Sequence, residues 1–405
     1  KSGNISQIGQ IIQNIESVVQ KSPKLLKDIF TSDFYEFLCE AFLSDNSELM
    51  QVQLCRLLAL VFPHSDPYQD QISEQIGFAF YALFDSTSPD LLFATVQLVS
   101  SMSNSSITAR DSFISFGICQ SLVDLAQSQR SVELTRAACH TLYCIFGTTQ
   151  TIDNELLIEN VPALFGLLAL DDKQSICHII ECFVGMTNKY SQLVFTLHDV
   201  GLYSSSVEML KDPELIGPTL HLIGNLSVAE PRHIKDLIEA GVLPILTQLL
   251  MTEYVADTFW VLSNLLERTK EDILPFCTPE FISQVIDIIK SSNIHTQTEG
   301  SFFLSTVILL SSNETLPSFM NSVIIEILVS MLDCGIHLVV LRCIDTFLKF
   351  FRFTLLNPEN CAQFLSDLSD SDIKERLEEL VQEEDGLITE KACYAASLLE
   401  PIGNS

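Results

Sequence analysis

The chain is 405 residues long, 47% of them apolar, with a mean hydropathy of +0.30. That is material for two or three globular domains or one extended array, and it excludes a disordered chain. Fifty-two acidic residues against 22 basic ones give a net charge of −30, which repels nucleic acid and anionic membrane and attracts basic partners.

The N-terminal stretch KSGNISQIGQ lacks the apolar core of a signal peptide, and residues 1–30 read as a degenerate first repeat. From there the chain alternates short apolar helices, such as FYEFLCEAFL, CQSLVDLA and ILTQLL, with long ones, such as LTRAACHTLYCIF, VADTFWVLSNLL and VVLRCIDTFLKFF. Few runs alternate as strands do, so sheet is not expected. Aligning the long helices on one position gives Arg56, Val96, His140, Cys182, His221, Trp260, Phe302 and Arg342, at intervals of 40, 44, 42, 39, 39, 42 and 40 residues. A period near 40, with a short helix, a second helix and a long third one, is the armadillo-type plan. These positions are expected to share one face of the stacked third helices. Asp90, Asp171, Asp212 and Ser292 stand where the middle helix turns into the third, and Pro63, Pro162, Gly201 and Pro244 mark other joints. Pro218 fits only in the first turn of its helix.

The repeat is clearest from Pro218 to Arg268. LHLIGNLS and FWVLSNLL place Asn225 and Asn264 at the same point of two units, 39 residues apart. Trp260 and Asn264 are four apart and share a helical face. An indole offers a flat apolar surface with cation–π attraction, and an Asn amide offers a donor and an acceptor to an extended peptide backbone. The segment 358–405 reads as a C-terminal capping repeat with acidic residues (Glu378, Glu379, Glu383, Glu384, Asp385) toward solvent. No charge block or low-complexity linker splits residues 1–405, so one domain is expected: an all-α, right-handed α-solenoid of about nine to ten armadillo repeats.

Other chemistries find little support. The twelve cysteines never form CxxC and sit mostly in apolar helices, as in a reducing compartment. His140 with Cys139 and Cys144, and Cys177 and His178 with Cys182, have helical spacing but no fourth ligand, so no metal or other cofactor is expected. No GxSxG elbow, phosphate loop or HExxH occurs, so no enzyme is expected. The richest apolar stretch, Val323–Phe351, carries charges throughout, so no membrane span is expected.

At these residues the chain resembles importin-α, the armadillo-repeat adaptor of nuclear import. LIGNLS and DTFWVLSNLL are similar to third helices of that family's central repeats, AGVLP to its helix joint, VLRCIDTFLKF to its penultimate repeat and LEELVQEEDGLITEKACYA to its terminal one. The likeness covers roughly residues 130–400, and the first third only by spacing. It implies a concave groove binding basic nuclear localisation signals of cargo proteins, in cytoplasm and nucleus. It further implies that Trp260 and Phe302 stack on cargo Lys or Arg stems, with His221 at the same position one repeat earlier. Asn264, Asn225, Ser263 and Thr306 would then bind the cargo backbone, and Asp257 and Glu299 its charge. These residues correspond to the family's minor site. At the major site the Trp/Asn pairs are replaced by Arg56/Leu60, Val96/Ser100 and His140/Cys144, so single-cluster basic signals are expected to bind weakly there. The basic segment that binds importin-β is not found in these residues, and the C-terminal repeats would meet a recycling exportin. The alternative is an armadillo-type scaffold with one fixed partner and no transport role.

Overall fold

The computed structural model describes residues 11, 14, 15, 17, 31–44, 46–147, 152–190, 193–382 and 386–403. The expected repeat at 1–30 lies almost wholly outside the described residues, as do Glu383, Glu384 and Asp385. Every described element is helical, so the all-α expectation holds. The chain divides into two compact units between Asn225 and Leu226.

The long helix of each repeat is numbered here. The first unit contains α1 (Glu48–Val61), α2 (Pro89–Ser105), α3 (Val132–Phe146), α4 (Lys173–Lys189) and α5 (Ile216–Leu226), the last ending at the unit boundary. The second contains α6 (Val255–Arg268), α7 (Ile294–Leu310), α8 (His337–Leu356) and α9 (Gly386–Gly403). Shorter helices precede each, for example Ile107–Ser115 and Ile118–Gln127 before α3, and Pro231–Glu239 and Val242–Leu249 before α6. Within the first unit α1 to α4 pack side by side in chain order, and within the second α6 to α9 do the same. This is the armadillo-type repeat: the long helices form one layer and the shorter helices cover their apolar side.

Four long helices start on a capping side chain, three of them one or two residues from the expected Asp90, Asp171 and Ser292, and Asp212 lies in the turn before α5 as expected. Ser88, Ser131, Asp172 and Asn293 accept hydrogen bonds from the backbone N–H groups of Leu91, Leu134, Ser175 and Thr296, each satisfying a donor that the first turn leaves open. Three middle helices begin after Gly117, Gly201 and Gly241, with φ of 71°, 85° and 88°. A Cβ is strained in that left-handed region, so the joint selects glycine. Pro218 sits in the first turn of α5, as required. Pro162 does not mark a joint: helix Asn154–Gly166 runs through it, so the first two helices of that repeat are merged.

The layers are held by aromatic contacts and close approach. Phe259 of α6 stacks on Phe303 of α7 at 5.9 Å, and Phe281 meets Phe303 edge-on at 6.2 Å. A Cβ on Gly300 would lie 2.7 Å from Ile289 and 3.1 Å from the Phe259 ring. Glycine there lets α7 seat against α6, which fixes the spacing of their outward stripes.

Candidate functional site

On α6, Ala256, Thr258, Phe259, Val261, Leu262, Ser263, Leu265 and Leu266 are buried. Asp257, Trp260 and Asn264 are half-buried and Glu267 is exposed, so the 3–4 spacing leaves these four as an outward stripe. On α7 the corresponding half-buried residues are Glu299 and Phe302. The structure thus brings Asp257, Trp260, Asn264, Glu299 and Phe302 onto one face of the second unit. Ser263 and Thr306 are fully or almost fully buried, and their hydroxyls donate to the Phe259 and Phe302 carbonyls of their own helices at 2.8 Å each. They turn away from that face.

The electrostatics of the stripe are one-sided. Burial pushes the Glu299 carboxyl above its ordinary range; His295 acts against this, and the negative charge of Asp257 adds to it. Two carboxylates from neighbouring repeats therefore repel each other beside a half-buried indole. A cation placed between them would relieve that repulsion.

One expected seat is already taken. The Arg342 guanidinium of α8 lies 4.5 Å from the centroid of the Phe302 ring and forms a salt bridge with Glu267 of α6. Arg342 therefore reaches past α7 to α6. It makes with Phe302 the cation–π contact that a basic ligand would make there. Sequence spacing placed Arg342 in line with Trp260 and Phe302. It gave no sign that this arginine folds back over the aromatic ring, nor that Glu267, three residues after Asn264, would hold it.

In the first unit, His221 is exposed and Asn225 half-buried on α5. The Asn225 amide donates to the Val184 carbonyl (3.3 Å) and to Thr187 Oγ1 (3.1 Å) on α4, so these donors tie two repeats together. Two positions of the expected ladder are out of register by one residue. Val96 and Cys182 are 1% and 0% exposed, while their neighbours Gln97 and Glu181 lie on the accessible side. Arg56 is exposed and Leu60 half-buried.

The replaced positions are linked to one another. Asn104 Nδ2 donates to Cys144 Sγ at 3.1 Å, Ser100 Oγ lies 3.4 Å from the same sulfur, and His140 Nδ1 lies 3.6 Å from it. Burial pushes the Cys144 thiol up, but these bonds outweigh it and bring the thiol below its ordinary value. The same contact raises the His140 imidazole. His140 meets the ring of His178 edge-on at 5.2 Å, and His178 is lowered by burial and then by His140. Among the described residues no group of three or more His, Cys, Asp or Glu side chains is placed to hold a metal ion, and no helix is long and apolar enough to cross a membrane.

No protein-family model and no curated protein matches the chain. Solved structures do. An engineered protein determined by the Northeast Structural Genomics Consortium aligns with a TM-score of 0.73 at 16% identity, over 96% of this chain and 94% of that one. The two share a fold. A designed armadillo repeat protein aligns at 0.47 and 18% identity, over 56% of this chain and 98% of its own. One of the computationally designed armadillo repeat proteins for modular peptide recognition aligns at 0.49 and 18% identity, over 57% and 98%.

Proposed function

We propose that this chain is a peptide-binding adaptor without catalytic activity, whose second unit holds extended basic segments of partner proteins. The observation that carries the reading is the pairing of Asp257 and Glu299 beside Trp260 and Asn264. The carboxylates supply charge, the indole a stacking surface, and the amide a donor and acceptor for backbone. Arg342 on Phe302 supports it from within, since a guanidinium of the chain itself already seats on the neighbouring aromatic. It also narrows the reading: the ligand centres on Trp260, because the Phe302 position is occupied.

The resemblance to importin-α extends this to nuclear localisation signals as ligands and to nuclear import as the role. The chain then works in cytoplasm and nucleus, with importin-β and a recycling exportin as further partners. The measurement that tests the core of the proposal is fluorescence anisotropy with a labelled Lys-rich peptide and a neutral peptide of the same length. Charge-dependent binding that Trp260→Ala with Asn264→Ala removes is expected. Equal affinity of wild type and double variant would refute it. Tight binding to one partner, insensitive to the partner's Lys and Arg, would favour the fixed-partner scaffold.

A further inference from the structure

The second unit holds a cavity of about 660 Å³ lined by residues of α7, α8 and α9, well within the size range of sites that take small ligands or single side chains. Its charge runs against that of the molecule. In a chain with 22 basic residues against 52 acidic ones, three cations, Lys349, Arg352 and Lys391, line this cavity with a single carboxylate, Asp345.

Each of these groups has a different commitment. Asp345 is paired with Lys391. The Lys349 ammonium donates to the carbonyls of Ile308 (2.9 Å), Leu309 (2.9 Å) and Ser311 (2.7 Å). All three of its protons therefore serve the C-terminal end of α7, where the helix leaves carbonyls unpaired. Arg352 is exposed and lies 5.5 Å from the centroid of the Tyr394 ring on α9. No carboxylate pairs with it among the described residues. It is a planar donor held by stacking and aimed at a positively charged cavity, which is the arrangement that binds carboxylate or phosphate in bidentate fashion. The rim is apolar: Leu356 is 80% exposed and Tyr394 44%. A free inorganic anion would make no use of such a rim, whereas the residues flanking an anionic side chain in a peptide would.

We propose that this cavity binds an anionic side chain, phosphoserine or glutamate, of a partner peptide that carries a bulky apolar residue beside it. Arg352 and Lys391 supply the hydrogen bonds, Lys349 the background positive charge, and Leu356 with Tyr394 the apolar contact. This assignment is independent of the Trp260 face and opposite to it in sign, so either can fail alone.

The test uses the full chain and fluorescein-labelled peptides in which one phosphoserine, glutamate or serine is flanked by leucines. The phosphoserine and glutamate peptides are expected to bind, and the serine peptide to bind on the order of tenfold more weakly, as for loss of a charge-assisted hydrogen bond. Arg352→Glu should abolish the preference and Arg352→Lys should restore part of it, with the helical circular dichroism of both variants unchanged. Since Arg352 is exposed and outside the core, both should fold. Equal binding of the three peptides, or an Arg352→Glu variant that keeps the preference, would overturn the proposal. So would competition by inorganic phosphate at the peptide's own concentration, which would make the cavity a free-anion site.

Discussion

The faces of α2 to α4 and of α6 with α7 are built on the same three-helix plan but carry different polar groups. In the first unit Ser100 and Asn104 of α2 and His140 of α3 all reach the Cys144 sulfur, and His140 meets the ring of His178 on α4 edge-on. In the second, burial first and the negative charge of Asp257 after it raise the Glu299 carboxyl, with Trp260 on the same stripe. A repeat scaffold fixes where third-helix side chains stand. Which chemistry a face carries is decided by residue choice at a few outward positions. That difference separates a face centred on a cysteine thiol from one centred on carboxylates beside an indole.

The sharpest way to break the comparison is to remove the indole and the amide of the second face. Trp260→Ala with Asn264→Ala should cost about 2–3 kcal/mol of binding to a Lys-rich peptide, roughly 30- to 150-fold, the sum of one cation–π contact and one hydrogen bond. Titration calorimetry checks it, and a loss under about threefold would show that the ligand lies elsewhere. The same double variant should melt close to wild type, because both side chains are half-buried and outward.

A second test concerns location. A single-cluster basic peptide carrying a photo-crosslinker should label residues near Trp260 and leave 56–144 largely unlabelled, since Arg56 adds like charge and Cys144 is already bonded. Binding should also weaken severalfold as salt rises through the range where the Debye length falls to about 8–10 Å. Labelling at 56–144 as strong as at Trp260 would erase the distinction between the units.

A smaller effect should come from Arg342→Ala. Vacating Phe302 removes a partly exposed ion pair with Glu267, worth about 0.2–1 kcal/mol, and opens a second aromatic seat beside a carboxylate. Affinity for Arg-rich peptides is expected to rise roughly two- to fivefold, whereas a fall would mean that Arg342 supports the site.

The smallest effect is in pH. The Glu299 proton is held more tightly in the folded chain than in the unfolded one. Its contribution to stability is therefore greatest at low pH and declines as pH rises through the window between the unfolded and the raised folded value. A bound cation favours the carboxylate, so peptide binding should release protons and tighten across that same window. Glu299→Gln should flatten the pH dependence, weaken binding to basic peptides and slightly raise the melting temperature at neutral pH. A variant with the wild-type pH profile would show that Glu299 does not face the ligand.

The fold was readable because the repeats carry local signals: apolar 3–4 spacing, polar residues where several third helices begin, and a glycine joint at Gly201. The α6 stripe was readable for the same reason, since Asp257, Trp260 and Asn264 stand out against an apolar helix. The register failed at Val96 and Cys182, because a period near 40 tolerates a one-residue shift and both positions have an outward polar neighbour, Gln97 and Glu181. Ser263 and Thr306 have the residue types of backbone binders, but a hydroxyl that bonds the carbonyl four residues back looks the same in sequence as one that faces outward. Arg342 on Phe302, and the approach of Lys391 to Lys349 and Arg352, depend on distances between different repeats. No single helix encodes those.

Arg342 also has a mechanical side. In a stack of repeats each unit ordinarily touches only its neighbours, so the stack can bend and stretch like a spring whose stiffness is set joint by joint. The bridge from Arg342 to Glu267 runs from α8 to α6 and skips α7. It is a chord across two joints at once, so extending this segment must break it or carry both joints together. With a strength of at most about 1 kcal/mol, the chord biases the resting curvature without locking it, and salt tunes its stiffness.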